Sequence, residues 1–225
     1  MKKQKTRLDI RTGYKIWSKT YDTDWNPLIK LEERSLLNSI GNIRNKTVLD
    51  AGCGTGRVVL KILKKGAKVY GIDISNEMLE IAKRKTTKYK DKREFKLASV
   101  YDIPYGKNEF DLVVCNLVTS HLKNLNKALS EMARVLKPRG FLIISDLHPF
   151  AMKLGAGTVF FQNKKEYWIR NYYHTLEEVF NVLKKNKLKI SEIKEPKITK
   201  RIVPKEEYQW IGKPGALIIK AGKVQ

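Results

Sequence analysis

Apolar runs and amphipathic patterns alternate along most of this chain of 225 residues. Short runs rich in valine, leucine and isoleucine predict buried strands, and apolar residues spaced three and four apart predict helices. Such alternation is typical of an α/β fold with a mostly parallel sheet and helices on both faces. The predicted strands are Thr47–Ala51, Lys68–Ile74, Glu94–Ala98, Phe110–Asn116 and Phe141–Asp146, with later apolar runs at Leu188–Ile193 and Ala216–Ala221; the predicted helices are Leu8–Lys19, Pro27–Ile40, Arg57–Lys65, Ser75–Lys88, Leu125–Leu136 and Thr175–Lys185.

One segment after the fifth strand interrupts the alternation. Pro149–His174 contains Thr158–Gln162 and Glu166–Ile169 on either side of Asn163-Lys164-Lys165, a pattern that predicts a hairpin. Ligands of parallel sheets bind at the carboxyl ends of the strands, so an insertion there is a candidate lid. We expect a single domain with an N-terminal helical cap over residues 1–45, a core over 46–146, the inserted lid over 147–174, and a C-terminal helix and strands over 175–225.

The chain is strongly basic, with 46 Lys and Arg against 23 Asp and Glu and a formal net charge of +23. Such a charge invites a nucleic-acid partner. The excess is spread along the whole chain, however, and it is made mostly of lysine, whereas arginine is the residue that binds phosphate with two hydrogen bonds. An RNA partner is therefore possible but not favoured, and nothing indicates an oligomeric state.

Cysteine usage and hydropathy bear on the compartment. Cys53 and Cys115 fall in predicted core segments and are too few for a disulfide framework. The chain has no apolar run long enough to span a membrane, and its basic beginning lacks the apolar region of a secretory signal. We expect a cytoplasmic protein with reduced thiols.

A glycine-rich loop follows the first predicted strand, in the stretch VLDAGCGTGR from Val48 to Arg57. Glycines there allow a sharp turn and let a ligand lie against the backbone. Dinucleotide-binding loops use the spacing G-x-G-x-x-G and place a pyrophosphate at the helix N-terminus. Here the spacing is G-x-G-x-G, and Asp50 would repel a pyrophosphate but attract an ammonium group beside a sulfonium. The loop therefore argues against an NAD-dependent oxidoreductase.

The second predicted strand ends in another acid, Asp73. A carboxylate at that strand end is placed to accept hydrogen bonds from both hydroxyls of a ribose. Ile74 follows it and can cover one face of an adenine. The alternative role for Asp73 is a helix N-cap, but Ser75 already supplies one.

These residues and three further stretches resemble the class I S-adenosylmethionine-dependent methyltransferases, in the branch that includes quinone-biosynthesis enzymes. The resemblance is strong over residues 46–146 and loose elsewhere, and it implies a Rossmann-like sheet with S-adenosyl-L-methionine as cofactor and S-adenosyl-L-homocysteine as product. The stretches that carry it are Val48–Arg57, Gly71–Ser75, Lys96–Tyr105, Phe110–Leu122 and Glu131–Asp146.

The resemblance also implies roles for single residues. Asp50 and the backbones of Gly52 and Gly54 would lie along the methionine part of the cofactor, whereas Asp73 would hold the ribose hydroxyls and Ile74 would lie against the adenine.

Three more positions follow from the same resemblance. Asn116, at the end of the fourth strand, would offer its backbone carbonyl to the cofactor's amino group. The family often has Asp where this chain has Ser99, so the adenine contact there rests on the serine hydroxyl and on the backbone N–H of Val100. This departure makes the adenine contacts a weaker prediction than the ribose contacts.

Aromatic residues gather in two segments outside the core. Tyr14, Trp17 and Tyr21 share helical spacing, with Trp25 beyond them. In the resembled family the N-terminal segment closes over the cofactor, so Tyr14 is a candidate cofactor contact, and a core stripe is an equal alternative. A second aromatic group crowds the predicted lid, where it would wall an acceptor pocket or form the lid's own core.

The identity of the methyl acceptor is constrained by motifs that the sequence lacks. The residues at the end of the fourth strand, Asn116-Leu117-Val118-Thr119, lack the prolines typical of amino-methylating nucleic-acid enzymes. Neither Cys53 nor Cys115 follows a proline, as the nucleophile of a cytosine C5 enzyme does. We find no metal-ligand set, because Asp146 stands alone. The favoured function is methyl transfer to O or N of a small molecule. A tRNA or other nucleic-acid methyltransferase is the alternative, and an NAD-dependent oxidoreductase or a cofactor-binding module without catalysis ranks lower.

Histidines are the candidate general bases. His121 follows the fourth strand and His148 follows the fifth, both on the expected ligand side, whereas His174 ends the insertion. We rank His148 first and His121 second as catalytic residues. The alternative for each is a capping or hydrogen-bonding role in the structure.

Overall fold

The computed structural model describes residues 5–224. The predicted cap and C-terminal segment thus include residues 1–4 and 225, which lie outside the described part. The described part of the chain contains ten strands: β1 (Lys5–Leu8), β2 (Thr47–Ala51), β3 (Lys68–Asp73), β4 (Arg93–Leu97), β5 (Phe110–Asn116), β6 (Leu136–Leu147), β7 (Thr158–Gln162), β8 (Lys165–Ile169), β9 (Leu188–Lys194) and β10 (Ala216–Lys223). The α-helices are α1 (Ile10–Trp17), α2 (Pro27–Ile40), α3 (Arg57–Lys64), α4 (Asn76–Lys85), α5 (Leu125–Val135), α6 (Pro149–Lys153) and α7 (Leu176–Lys185).

Seven strands form the main sheet in the order β4-β3-β2-β5-β6-β10-β9. β4, β3, β2, β5 and β6 pair in parallel, and β10 runs antiparallel between β6 and β9. The carboxyl ends of β3, β2 and β5 therefore lie side by side. From β2 the chain extends the sheet to one side through β3 and β4, and then to the other side through β5 and β6. This confirms the predicted Rossmann-like α/β sheet.

Helices cover both faces of this sheet because each presents one apolar stripe to it. α5 and α7 contribute to the core on one face, with Leu129 and Leu183 fully buried. α2, α3 and α4 contribute to the other, where Leu36, Ile62 and Leu79 are buried. Within residues 5–224, none of the helices combines the length and the hydropathy that spanning a lipid bilayer requires.

The N-terminal segment differs from the prediction. Residues 5–8 form β1 rather than the start of a helix, and α1 begins at Ile10 because Asp9 caps it by accepting a hydrogen bond from the backbone N–H of Thr12. β1 pairs in parallel with β8, and β8 pairs antiparallel with β7, so the predicted hairpin is confirmed and gains a third strand.

A small apolar cluster joins this sheet to α1. The Trp17 and Phe160 rings stack with centroids 5.0 Å apart, and Phe160 stacks in turn on Tyr167 at 5.1 Å. Trp17, Phe160 and Ile169 are buried together, with Tyr14 and Tyr21 packed against them. We call residues 5–24 and 149–174 together the cover, because they share this cluster.

Candidate cofactor-binding site

A cavity opens at the carboxyl ends of β2, β3 and β5, beneath α1. The structure brings most of the predicted site residues to its wall and leaves Asp50 and His148 out of it. The predicted residues that line the cavity are Tyr14, Gly52, Gly54, Asp73, Ile74, Ser99, Val100, Asn116 and His121.

Two glycines of the loop meet the cavity in different ways. Gly52 and Gly54 have φ angles of 82° and 52°, in the left-handed region that side chains rarely adopt. A Cβ at Gly52 would overlap the side chain of Val118, whereas a Cβ at Gly54 would have no atom within 4 Å. Gly52 is thus needed for packing, and Gly54 leaves backbone open to a ligand.

The Asp73 carboxylate holds the loop and the next helix together. Its Oδ2 accepts a hydrogen bond from the Gly54 N–H and its Oδ1 accepts one from the Ser75 N–H, both at 2.8 Å. Burial raises the pKa of Asp73, although the N–H donors of Ser75 and Gly54 act in the opposite direction. Ser75 is the N-cap of α4, as expected, because its side chain accepts a hydrogen bond from the Met78 N–H.

Asp50 lies behind the loop rather than on the cavity wall. Its side chain is buried, and neither carboxylate oxygen has a hydrogen-bond partner within residues 5–224. Burial raises the pKa of Asp50 to about 7, Arg57 opposes this shift and Asp73 adds to it. A buried carboxyl group without a partner is costly, and a cationic ligand at the loop would offset that cost. The open Gly54 backbone and this orphaned carboxyl group both fit a nucleoside that carries an ammonium group.

His121 and Tyr14 form a hydrogen-bonded pair on the cavity wall. The His121 Nδ1 lies 2.8 Å from the Arg170 carbonyl oxygen, which can only accept, so Nδ1 carries the proton. Nε2 therefore accepts a hydrogen bond from the Tyr14 hydroxyl at 2.8 Å. Burial lowers the pKa of His121 and raises the pKa of Tyr14 well above its ordinary value. The result is a neutral imidazole whose Nε2 lone pair is engaged by the Tyr14 hydroxyl.

His148, ranked first by the sequence, lies elsewhere. It is the N-cap of α6, where its Nδ1 accepts a hydrogen bond from the Phe150 N–H at 3.0 Å. Its Nε2 then donates to Glu195 Oε1 at 2.9 Å. Because His148 caps α6 and does not line this cavity, the structure supports the capping alternative for it.

Neither of the other singled-out polar residues forms a metal site. His174 contacts the Leu122 carbonyl oxygen and the Glu178 carboxylate, and Asp146 accepts hydrogen bonds from the Thr119 hydroxyl and the Ser120 N–H. Over residues 5–224, no three His, Cys, Asp or Glu side chains gather as metal ligands.

Sequence reasoning missed a polar network beneath the cavity. Arg57 Nη2 donates to Glu32 Oε1 at 3.0 Å and to Asn116 Oδ1, whose own Nδ2 donates to Glu32 Oε2 at 3.0 Å. The Ser145 hydroxyl donates to the same Glu32 oxygen at 3.1 Å. Glu32 follows Leu31 in a helix read only for its apolar stripe, so no local signal marked it.

Two further contacts of the N-terminal segment were also missed. Tyr21 lines the cavity, and burial raises the pKa of its hydroxyl to about 12. The neighbouring Asp22 accepts hydrogen bonds from the Thr55 hydroxyl at 2.8 Å and from Lys85 Nζ at 2.6 Å. Thr55 belongs to the glycine loop, so Asp22 fastens the N-terminal segment to that loop.

Comparison with known proteins shows what this chain is similar to. Residues 49–144 match a family of methyltransferase domains. A demethylmenaquinone methyltransferase from Symbiobacterium thermophilum is 36% identical over 116 residues, which cover 49% of this chain and 46% of that protein. The chain spans between 46% and 62% of the length of the first curated relatives that it matches.

Solved structures share the fold over a larger part of the chain. An S-adenosylmethionine-dependent methyltransferase from Mesorhizobium loti has a TM-score of 0.70 at 18% identity, covering 85% of this chain and 97% of that one. A geranyl diphosphate C-methyltransferase from Streptomyces coelicolor A3(2) has a TM-score of 0.66 at 17% identity, covering 87% and 80%. Residues 49–144 of the chain are thus similar to methyltransferase domains, and the fold over most of the chain is the one that these solved methyltransferases share.

Proposed function

We propose that the protein transfers a methyl group from S-adenosyl-L-methionine to a small-molecule acceptor. The observation that carries this proposal is the cavity itself, where the open Gly54 backbone and the Asp73 carboxylate lie at two neighbouring strand ends, with the unpartnered Asp50 behind the loop. When bound, the cofactor supplies an electrophilic methyl group on a sulfonium, which a nucleophile displaces in line. The protein's task is to bind, orient and deprotonate.

The cofactor would lie across the loop with its ribose at Asp73. In this arrangement Asp73 accepts the ribose hydroxyls, and Ile74 with the Ser99 and Val100 segment borders the adenine. The methionine part runs over Gly52 and Gly54 toward Asn116, on the β5 side of the loop, and Asp50 faces its positive charge. All of these residues except Asp50 line one cavity, which supports the arrangement.

The acceptor would approach from the side of Tyr14 and His121. His121 keeps an unprotonated Nε2, held in that tautomer by the Arg170 carbonyl and hydrogen-bonded to the Tyr14 hydroxyl. It therefore replaces His148 as the proposed general base, and Tyr14 stands between it and the acceptor. Tyr14, Ile10, Val118 and Leu122 make this end of the cavity largely apolar, which suits an uncharged acceptor.

The acceptor atom is O or N in our proposal, because a base is useful where the nucleophile must lose a proton. Carbon enters as a further candidate, because the Streptomyces coelicolor neighbour is a C-methyltransferase. The nucleic-acid alternative has the charge of +23 in its favour, and the cytoplasmic location stays a prediction from cysteine usage.

A labelled-methyl assay tests the proposal. The protein is incubated with methyl-labelled S-adenosyl-L-methionine and either a metabolite extract or total tRNA, and products are identified by mass spectrometry. Label in a small molecule supports the proposal, and label in tRNA alone favours the alternative. If calorimetry shows no binding of S-adenosyl-L-homocysteine, the proposal fails.

A further inference from the structure

The network of Glu32, Arg57, Asn116 and Ser145 is placed to control one end of the cavity. Its members come from α2, the first residue of α3, and the carboxyl ends of β5 and β6. None of them except Asn116 lines the cavity. Asn116 is therefore the point at which four elements of the fold act on the ligand.

The network is costly to bury. Glu32 has a fully buried side chain, and the side chain of its partner Arg57 is 17% exposed. Removing both charges from water costs free energy that their attraction often only just offsets. Replacement by apolar side chains would serve the core equally well, so a gain in stability does not by itself explain the network.

The network fixes the shape of the turn after β5. Both ends of the Asn116 side-chain amide are held, with Oδ1 on Arg57 and Nδ2 on Glu32 and Ser145. The next residue, Leu117, has a φ of 57°, an uncommon conformation for leucine, and its N–H donates to the Ser145 carbonyl at 2.7 Å. This strained turn sets the positions of Val118 and His121 on the cavity wall.

The buried charges around Arg57, behind Asn116, also do not balance. Two buried carboxyl groups, Glu32 and Asp50, face a single buried guanidinium, Arg57, which acts electrostatically on both. Glu33, which also pairs with Arg57, is partly exposed and pairs with Lys61 as well. The buried group is therefore one positive charge short when both acids are ionised.

The strand order indicates which part of a bound ligand would lie beside this missing positive charge. Asp73 ends β3 on one side of the glycine loop, and Asn116 ends β5 on the other. A nucleoside whose ribose lies at Asp73 thus extends its other end toward Asn116. From this geometry we infer that Glu32 and Arg57 are positioning residues, acting through Asn116 on the amino-acid end of the cofactor. The inference rests on the proposed function.

Two ligands separate this role from a merely structural one. S-adenosyl-L-homocysteine carries the amino-acid end, whereas 5′-methylthioadenosine has the same nucleoside and thioether without it. Glu32→Gln keeps the shape of the side chain and removes its charge. We expect the variant to bind S-adenosyl-L-homocysteine about tenfold more weakly than the wild type, and 5′-methylthioadenosine within about twofold of it, by calorimetry on the full chain.

The matched control is Glu33→Gln, which touches the same guanidinium from the exposed side, and both affinities should stay within about twofold of wild type. Ser145→Ala is a milder second variant, for which the same selective loss is expected. An equal loss of both ligands in Glu32→Gln and Ser145→Ala, or no loss in either, would overturn the inference. A wild-type protein that binds neither ligand would overturn the proposed function, and the inference with it.

Discussion

The floor and the cover of the cavity are built in different ways. The floor consists of the glycine loop and strand ends between residues 48 and 75, and its main tie joins the Gly54 N–H to Asp73, only 19 residues away. The cover is joined by the stack of Trp17 on Phe160 and by the parallel pairing of β1 with β8, both across more than a hundred residues of chain. The floor is thus held together by contacts between residues that are close in sequence, whereas the cover depends on contacts between distant parts of the chain.

This difference decides where motion and chemistry are placed. The floor shares the main hydrophobic core, with Leu49 and Ile72 fully buried in it. The cover has its own small cluster and carries Tyr14, which reaches His121 on the floor side. We therefore expect variants of the floor to change ligand affinity, and variants of the cover or of its contacts to change turnover.

The largest effect is expected for His121→Ala. Loss of the imidazole removes the acceptor of the Tyr14 hydroxyl and the proposed base, and a positioned general base is worth roughly 10²- to 10⁴-fold in rate. Turnover should fall by about that factor, whereas the affinity for S-adenosyl-L-homocysteine stays within about threefold. Steady-state kinetics with the identified acceptor, together with calorimetry, measure the two.

His148→Asn is the matched control for that variant. Asparagine can still accept the hydrogen bond from the Phe150 N–H that caps α6, so turnover should stay within about twofold of wild type. A loss of turnover in His148→Asn as large as that in His121→Ala would return His148 to the catalytic role that its position after the fifth strand first indicated.

Phe160→Ala tests whether the cover behaves as one unit. Removing a buried aromatic ring of this size costs about 3–5 kcal/mol where it packs. Because Phe160 lies between Trp17 and Tyr167, amide hydrogen exchange should accelerate together in residues 5–21 and 157–170 and stay unchanged in β2 and β5.

The adjacent Phe161 offers a control, since its side chain is 57% exposed. Phe161→Ala should leave exchange in α1 unchanged. Faster exchange in the hairpin alone after Phe160→Ala would show that α1 and the hairpin move independently, and the comparison between floor and cover would fail.

Asp73→Ala tests the floor. The variant removes the proposed ribose acceptor and frees the Gly54 N–H, and the loss of charge-assisted hydrogen bonds should weaken S-adenosyl-L-homocysteine binding about ten- to a hundredfold. Glu80→Ala, on the exposed side of α4, should bind as the wild type does. Unchanged affinity in Asp73→Ala would show that the strand end does not hold the ribose.

Much of this floor could be predicted from the sequence, because each element carries its own signal. The alternating glycines mark the loop, and a carboxylate at each strand end marks Asp50 and Asp73. β1 gave no such signal, since four residues with no sheet pattern of their own form a strand only because β8 offers an edge. Glu32 was equally hidden, because burial of a charge depends on partners 25 and 84 residues away.

Our proposal reverses the ranking of the two histidines for a related physical reason. Position after a strand places a residue near the ligand side, but the first hydrogen bond available decides where its ring points. His148 is the N-cap of α6, whereas His121 donates to a carbonyl from the distant Arg170 and accepts from the Tyr14 hydroxyl at the cavity wall. The spacing of residues in the sequence does not indicate the hydrogen-bond partners of either histidine.

The smallest predicted effect is a pH dependence of cofactor binding that depends on Asp50. In the free protein this carboxyl group has a pKa of about 7, raised mainly by burial. A raised carboxyl pKa means that the folded free protein takes up a proton as the pH falls below 7, and a cationic ligand must expel it. Affinity for S-adenosyl-L-homocysteine should therefore fall by up to about tenfold between pH 7 and pH 6, and level off above pH 8.

The same shift has a consequence for the free protein. Its carboxyl group binds a proton more tightly than the unfolded chain does, so the Asp50 contribution to stability declines as the pH rises from about 4 to about 7. Asp50→Asn cannot titrate, so its binding curve should be flat from pH 6 to pH 8 and lie below that of the wild type at pH 8. Calorimetry at constant ionic strength measures both curves. Parallel curves for the two proteins would mean that the pH dependence comes from another titratable group. Asp50 would then not interact with the charge of the ligand.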